Sequence, residues 1–177
     1  ERVYFASDLN KYMQVNLKSF KQKVARNAKQ LRSFLSKLER RAPKGLDNLT
    51  EFISPQVWAE TDCLSCANCC KTMSPTFTKT DIKRIAAHLN TTPAAFTAQW
   101  LDYDKKDKDW INKLQPCQFL DLKSNMCSIY EVRPADCAGF PHLTKKKMTE
   151  YMHVHKQNVE FCPATYKMVE KMKDLIG

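Results

Sequence analysis

Residues 61–71 read TDCLSCANCCK and place four cysteines within eight positions. Cys63, Cys66 and Cys69 are separated by two successive two-residue gaps, and Cys70 follows directly. A two-residue gap lets the backbone curl around a metal ion, so that both sulfurs point towards it. The stretch therefore predicts metal thiolate chemistry, and we expect the fold to be organised around the loops that supply the sulfurs.

The other four cysteines are widely spaced along the second half of the chain. They are Cys117, Cys127, Cys137 and Cys162, and the last is followed by Pro163. A C-x-x-C-x-x-C run with a distant Cys-Pro is the spacing by which bacterial ferredoxins hold a four-iron cluster. A Cys-x-x-Cys pair with two remote cysteines serves zinc equally well. The spacing predicts one or two zinc ions or iron–sulfur centres, with [4Fe-4S] as the candidate cluster, and leaves the metal open.

The adjacent pair suggests how the thiolates are shared. In an extended segment the side chains of Cys69 and Cys70 would point to opposite sides, which favours two sites or one shared polynuclear site. One hypothesis joins Cys63, Cys66, Cys69 and Cys162 at one site and Cys70, Cys117, Cys127 and Cys137 at another; the sequence allows other partitions equally. Buried thiols without metal, or disulfides, are the alternative, and four cysteines in eight positions argue against it.

Composition indicates the fold class and the compartment. The chain has 177 residues, of which 43% are hydrophobic, enough to bury a core without disulfide staples. Only 3 glycines disfavour tight hairpins, so we predict a mainly α protein with irregular cysteine-rich loops. The sequence contains no apolar run of membrane-spanning length and does not begin with a secretory signal pattern. We therefore expect a cytoplasmic protein with reduced thiols.

The first part of the chain is strongly basic. Residues 1–44 hold 12 Lys/Arg against 3 Asp/Glu, whereas residues 45–177 hold 17 against 16. Steps of four and three residues predict a long amphipathic helix with the apolar seam Met13, Leu17, Phe20, Val24, Asn27, Leu31, Phe34 and Leu38. We divide the chain into a basic helical extension, 1–45, and a cysteine-cluster metal-binding domain, 46–177. The helix is expected to dock on the domain or on a protein partner; contact with nucleic acid or an anionic membrane is the less favoured alternative.

Turn and cap residues predict further elements of the second part. Residues 41–56 resemble a linker punctuated by proline and glycine, with room for one short helical turn before the first cysteines. Residues 78–90 predict a helix capped by Thr80, with Asp81 in its first turn. Residues 102–110 carry mixed charges and predict an exposed loop or a fraying helix end.

Two prolines mark the starts of helices. Pro93, preceded by the cap residue Thr92, opens one helix, and Pro163 opens the last. The inward side of the last helix is expected to consist of Tyr166, Val169, Met172 and Ile176.

The motifs CLSCANCC, PCQFL, CSIYEVRPADCAGFP and FCP, in that order, resemble the CxxCxxCC cysteine-cluster family of YkgJ-type zinc- or iron-chelating proteins. The resemblance covers about residues 60–165 and leaves out the basic helix. It implies that all eight cysteines are metal ligands, and it implies little about a reaction. One branch of the family is associated with flagellin lysine methylation. An iron–sulfur redox or protein-modifying enzyme component is therefore the alternative to a chelating, structural or interaction module.

Two prolines flank the Cys137 loop in the same motif. Pro134 and Pro141 restrict the residues before them, Arg133 and Phe140, to extended backbone, which sets the direction of the loop. We favour a structural role for Arg133 over a hydrogen bond to a ligand sulfur.

No side chain is singled out for catalysis. His142 is the histidine that we would test as an extra ligand or an acid/base group, whereas His153 and His155 would not share a helix face. No nucleophile elbow, phosphate loop or paired carboxylates occur. The catalytic residues stay unknown, and a role without catalysis is favoured.

Overall fold

The structure is a computed structural model that describes residues 15–144 and 147–177. The predicted mainly α fold is confirmed. Its α-helices are α1 (Leu17–Arg40), α2 (Leu46–Ala59), α3 (Cys63–Cys66), α4 (Asn68–Thr72), α5 (Lys79–His88), α6 (Pro93–Trp100), α7 (Ala135–Gly139), α8 (Met152–Phe161) and α9 (Pro163–Ile176). Short 3-10 turns cover Tyr130–Val132 and Met148–Tyr151, and the strands are β1 (Thr76–Phe77), β2 (Leu101–Asp104) and β3 (Asp109–Asn112). None of the described helices is both long and apolar enough to cross a membrane.

The described chain forms two compact units. The first contains the described residues up to 66 together with those from 141 onwards, and the second contains residues 67–140. Compactness does not test the predicted boundary after residue 45, which stays a prediction. The first unit is built from helices, whereas the second combines helices with the small sheet.

In the first unit, the basic helix packs through its apolar seam. Helix α1 lies against α8 and α9, and its buried side chains are Phe20, Leu31, Phe34, Leu35 and Leu38. Asn27 donates a hydrogen bond from Nδ2 to the Tyr166 hydroxyl at 2.8 Å, which satisfies the polar residue of the seam. The seam prediction is confirmed within the described residues, and Met13 lies outside them. The helix therefore docks on its own chain.

The predicted linker is wrong, because most of residues 41–56 is helical. Helix α2 begins at Leu46, after Gly45 at φ 78°, and continues through Pro55. Ile53 and Val57 are buried, and α2 packs against α9. A proline inside a helix removes one backbone hydrogen bond. Burial of this apolar face against α9 outweighs that loss.

The last helix agrees with its prediction except at its end. Helix α9 begins at Pro163, and Tyr166, Val169 and Met172 are buried. Ile176 remains 40% exposed, because the burial of α9 stops one turn before its end.

In the second unit, an aromatic core joins α5 and α6 to the sheet. Phe77, Phe96 and Phe119 are buried together with Ile82 and Ile85. The sheet is antiparallel, in the order β1-β3-β2. Cys117 and Cys127 pack against this core, so the core supports two of the predicted ligands.

Helix α5 is capped two residues earlier than predicted. Thr78 Oγ1 accepts a hydrogen bond from the Asp81 N–H at 3.1 Å, and the Asp81 carboxylate accepts one from the Thr78 N–H at 3.0 Å. This reciprocal capping box makes Thr78 the cap, and Thr80 lies inside the helix. Helix α6 begins at Pro93 with Thr92 as its cap, as predicted.

Residues 102–110 form a hairpin, so the prediction of a loop or fraying helix is wrong. Tyr103 pairs with Trp110 across β2 and β3, with their ring centroids 5.1 Å apart. Asp104 accepts hydrogen bonds from the Lys106 and Asp107 N–H groups at the tip. Lys108 adopts φ 59°, a conformation usually left to glycine, and so the scarcity of glycine did not prevent the turn.

Candidate metal centre

The eight cysteines are divided between the two units. The first unit contains Cys63, Cys66 and Cys162, and the second contains Cys69, Cys70, Cys117, Cys127 and Cys137. All eight lie in the described residues, and none forms a disulfide bond.

The adjacent cysteines lie on a short helix, so the premise of an extended segment is wrong. Helix α4 starts after Ala67, which adopts φ 45°, and it carries Cys69 and Cys70 on neighbouring positions. Their sulfurs are 3.9 Å apart. Two thiolates bound to one zinc ion at about 2.3 Å in tetrahedral geometry would be about 3.8 Å apart. The pair therefore has the sulfur spacing of ligands at a common centre.

Backbone hydrogen bonds join the segments that carry the other ligands. The Cys117 N–H donates to the Cys70 carbonyl at 2.8 Å, which places the two residues side by side. An antiparallel bridge between Leu120 and Cys127 then folds the chain back, supported by the Ser128 N–H donating to the Phe119 carbonyl. Residues far apart in sequence thus meet in the second unit.

The Cys137 segment is held from two sides. The Ala135 N–H donates to the Asp81 carboxylate on α5, and the Thr76 N–H donates to the Asp136 carboxylate, both at 3.1 Å. Helix α7, which carries Cys137, is therefore fixed against α5 and β1.

The two prolines act on the loop as predicted. Arg133 has ψ 153° and Phe140 has ψ 139°, so both residues before a proline are extended. Arg133 donates from Nη1 to the Tyr130 carbonyl at 2.6 Å, and its guanidinium lies 3.8 Å from the centre of the Tyr130 ring. These contacts confirm the structural role of Arg133.

Four thiols of the second unit act on one another electrostatically. Burial raises the pKa of Cys117, Cys127 and Cys137, and neighbouring thiolate charge raises each further. For Cys137 those neighbours include Cys70, Cys117 and Cys127. The hydrogen bond from Cys69 lowers the pKa of Cys70 to about 7. Each of the three thiols with a raised pKa therefore loses its proton less readily when its neighbours are ionised, an effect that a bound cation would oppose.

In the first unit, two cysteines affect each other's ionisation in a similar way. Cys162 is buried just before α9, and burial raises the pKa of its thiol. Hydrogen bonds from Thr165 and Ala164 oppose that rise, while the charge of Cys66 adds to it. Cys63 lies at the other end of α3 from Cys66 and is exposed. Cys66 and Cys162 are thus within range of each other's charge.

The donor chemistry fits zinc or iron, although the side chains do not yet form a closed coordination shell. Among the described residues, no three His, Cys, Asp or Glu side chains are already arranged to hold one metal ion. Gathered thiols are soft donors that select zinc and iron–sulfur clusters over magnesium or calcium. The residues present therefore fit such a metal by donor type.

Sequence reasoning missed one histidine. His155 on α8 is buried, and burial together with the charges of His142 and His153 lowers its pKa to about 4. Its neighbours at helical spacing, Met152 and Val159, are buried too, and this periodicity was the available signal. His155 is therefore a neutral core residue, while His153 is exposed.

His142 remains a candidate, as the sequence predicted. It adopts φ 60°, is half-buried, and lies with its ring centroid 6.2 Å from that of Tyr151.

Comparison with known proteins identifies the class to which this fold and these thiols belong. A family model described as "CxxCxxCC: Putative zinc- or iron-chelating domain" matches residues 62–163. The match covers more than half of the chain, from just before Cys63 to just after Cys162. The chain belongs to this CxxCxxCC family of zinc- or iron-chelating domains.

One curated relative resembles part of the chain. The chain is 34% identical over 84 residues to an uncharacterized protein of Methanocaldococcus jannaschii. The aligned part covers 45% of this chain and 43% of that protein, so the chain spans less than half of the relative's length. No solved structure matches the chain.

Proposed function

We propose that the protein binds metal through all eight cysteine thiolates and acts as a chelating, structural or interaction module with one or two zinc ions or iron–sulfur centres. The observation that carries the proposal is the set of backbone contacts that joins the Cys70, Cys117 and Cys127 segments and anchors the Cys137 segment on Asp81. Thiolate charge at neighbouring cysteines also raises the pKa of Cys117, Cys127 and Cys137. Four thiolates complete a tetrahedral zinc site or ligate a four-iron cluster. A bound cation would remove the repulsion among them.

The three cysteines of the first unit, Cys63, Cys66 and Cys162, would serve a second centre, and the charge interaction between Cys66 and Cys162 is consistent with this. Cys69, whose sulfur lies 3.9 Å from that of Cys70, would join the centre of the second unit. The metal, when bound, supplies folding free energy by linking segments that are distant in sequence. A reducing compartment, the cytoplasm, suits this chemistry because it keeps thiols available for metal.

Elemental analysis with a visible absorption spectrum tests the proposal on protein purified without oxygen. Colourless protein with one or two zinc ions is the expected result for a chelating module. Brown protein with about four iron and four sulfide per centre would support the alternative, an iron–sulfur redox or protein-modifying component. Protein without zinc or iron would overturn metal binding.

Single variants then test the two-centre assignment. C137S is expected to lose the metal of the second unit and keep the other, whereas C162S should show the reverse. The exposed, non-cysteine substitution S33A on α1 is the control and should retain the full metal content. Equal loss of all metal in both cysteine variants would indicate one shared polynuclear centre instead.

We also propose that the exposed cationic face of α1 docks an acidic protein partner. Lys18, Lys21, Lys29 and Arg40 are exposed on the helix, and Glu39, the one acidic residue of α1, is paired with Lys156 of α8. Such a face attracts anionic surfaces at ordinary salt concentrations.

Three probes distinguish the possible partners of this face. Binding of poly-glutamate at 150 mM salt, abolished by K18E/K21E/K29E, would support a protein partner. Preferential binding of duplex RNA or of anionic phosphatidylserine vesicles would support the less favoured alternatives. No binding to any probe would contradict a docking role.

A further inference from the structure

Two buried polar atoms, one in each unit, have no hydrogen-bond partner among the described residues, and each belongs to a residue that lowers the pKa of a predicted ligand thiol. They are Asn112 Nδ2 in the second unit and Thr165 Oγ1 in the first. Buried donors are almost always paired, because an unpaired one forfeits its hydration without compensation. Such an atom therefore points to an acceptor that becomes available in another state of the site.

The orientation of Asn112 is fixed by its neighbours. Its backbone N–H donates to Ser74 Oγ at 2.9 Å, at the end of β3. Its carbonyl Oδ1 accepts a hydrogen bond from Gln118 Nε2 at 2.9 Å. With Oδ1 engaged in this way, the other arm of the amide, Nδ2, is left for the neighbouring sulfur of Cys117. Burial raises the pKa of that thiol, and hydrogen bonding by the Phe119 N–H and the Asn112 side chain opposes the rise.

Thr165 is the second of the two residues whose buried side-chain donor has no partner in the described part of the chain, and it lies in the first unit. It is fully buried in the first turn of α9, three residues after Cys162. A threonine hydroxyl inside a helix commonly donates to a carbonyl one turn earlier, and this one does not. Its hydroxyl and the N–H groups of Thr165 and Ala164 at the helix start instead oppose the rise in the pKa of the Cys162 thiol. Cys162 is the N-cap residue of α9, whose first turn has no side-chain cap hydrogen bond from the described residues, so the donors of that turn are available to the sulfur once it is ionised.

We propose that Asn112 and Thr165 are positioning residues, which donate hydrogen bonds to the thiolates of Cys117 and Cys162 when metal is bound. The inference rests on the proposed metal binding. A thiolate is a stronger acceptor than a thiol, because hydrogen bonds to ionised groups are stronger than neutral ones. Hydrogen-bond partners of this kind orient the side chains that ligate the metal. Their loss typically lowers metal affinity by about 10- to 100-fold. Each unit would then carry one such donor.

Threonine variants give the sharper test in zinc-loaded full-length protein. T165V keeps the shape of the side chain and removes the donor, whereas T165S keeps the hydroxyl. We expect T165V to transfer zinc to a chromogenic chelator about 10-fold faster than wild type, with T165S close to wild type. In cadmium-substituted protein, T165V should also shift the sulfur-to-cadmium absorption band and one ¹¹³Cd resonance.

Asn112 is tested in the same way with two variants. N112L removes both hydrogen-bonding groups of the amide. N112D keeps the acceptor for Gln118 and removes only the N–H donor, so the test can still be made if N112L does not fold. Both should release zinc faster and move a different ¹¹³Cd resonance from the one moved by T165V. Q118L is the matched control, since it removes the Gln118 contact and keeps the Asn112 donor; it should have a smaller effect than N112D.

A failure of this inference can be distinguished from a failure of the proposed metal binding. Release rates and ¹¹³Cd shifts of T165V and N112D that match wild type, in protein with its full metal content, would overturn this inference alone. Equal effects of T165V and T165S would overturn it too, because the hydroxyl would then be irrelevant. Wild-type protein that takes up no zinc or cadmium would overturn the proposed function and this inference with it.

Discussion

The backbone N–H of Ala135 donates a hydrogen bond to the buried carboxylate of Asp81 at 3.1 Å. The same carboxylate accepts hydrogen bonds from Thr78 and Arg84, and Arg84 also donates to the Arg133 carbonyl at 2.9 Å. One buried charge thus ties the start of α5 to the segment that carries Cys137. The position of Cys137, a predicted ligand, therefore depends on the Asp81 side chain, more than fifty residues earlier in the chain.

Replacing Asp81 should weaken the fold in a pH-dependent way. Burial raises the pKa of Asp81, but hydrogen bonds from Thr78, Ala135 and Arg84 outweigh it and hold the pKa below its usual value. A lowered folded-state pKa stabilises above the unfolded value of about 3.9, and this stabilisation is lost as pH falls through the folded value. We expect D81N to lower the free energy of unfolding by about 2 kcal/mol at pH 7.

Urea unfolding at pH 7 and pH 3 checks this prediction. The difference between D81N and wild type should shrink at pH 3, because the Asp81 carboxyl of the unfolded wild-type chain, with a pKa of about 3.9, then binds a proton. D102N, at an exposed position of β2, is the control and should change stability little. A difference that is equally large at both pH values would contradict the ionic role of Asp81.

Cys70 should be the first of the second unit's four mutually interacting thiols to react with an alkylating agent. Its pKa is lowered to about 7 by the hydrogen bond from Cys69, whereas the pKa values of Cys117, Cys127 and Cys137 are raised, chiefly by burial. The thiolate is the nucleophile, so in metal-free protein at pH 7 about half of Cys70 is reactive.

Timed iodoacetamide labelling followed by peptide mass spectrometry measures this order. Denatured protein is the control, because all cysteines should then react at similar rates. Bound zinc should suppress labelling of Cys70. Labelling of Cys137 as fast as Cys70 in metal-free protein would show the assigned pKa order to be incorrect.

Metal removal should destabilise the protein. A metal at about 1,000 times its dissociation constant stabilises the folded state by about 4 kcal/mol, which corresponds to about 10 °C in Tm for a chain of this size. Thermal melts by circular dichroism under anaerobic conditions, with and without a chelator, measure the change. Zinc added back should restore the original Tm. An unchanged Tm after verified metal removal would mean that the metal does not contribute to folding.

The hydrogen bond between Asn27 and Tyr166 should stabilise the packing of α1 on α9. Y166F keeps the ring that meets Phe20 edge to face, with centroids 5.8 Å apart, but leaves the Asn27 amide without its acceptor. We expect a loss of about 1 kcal/mol in the free energy of unfolding. The double variant N27L/Y166F should recover most of it, because both polar partners are then gone.

Urea unfolding of the two single variants and the double variant completes this cycle. A double variant that is less stable than Y166F by the full cost of N27L would indicate that the two residues act independently.

Local sequence patterns were sufficient to predict the structure where the conformation of a segment depends only on its own residues. The seam of α1 was predictable because a helix places residues three and four positions apart on one face. Thr92 with Pro93 marked the start of α6, and the prolines of the Cys137 loop fixed the backbone before them. These are short-range steric and hydrogen-bonding effects, which the sequence states directly.

Local patterns failed where distant partners decide the conformation. Helix α2 keeps Pro55 because its apolar face is buried against α9, and β3 pairs with β1 as well as with β2. The capping of α5 by Thr78 involves Asp81, whose carboxylate is also committed to Ala135. None of these contacts is visible in the periodicity of the segment itself.

The sequence by itself determined the kind of chemistry, because the softness of eight thiols and the Cys-x-x-Cys spacing are properties of residues and short loops. Only the tertiary structure decided which cysteine-bearing segments lie side by side. The bond from the Cys117 N–H to the Cys70 carbonyl, the bridge at Cys127 and the anchoring of the Cys137 segment on Asp81 join the segments that carry four of the cysteines. Such convergence depends on contacts between residues far apart in the chain, and these form only when the core between them packs.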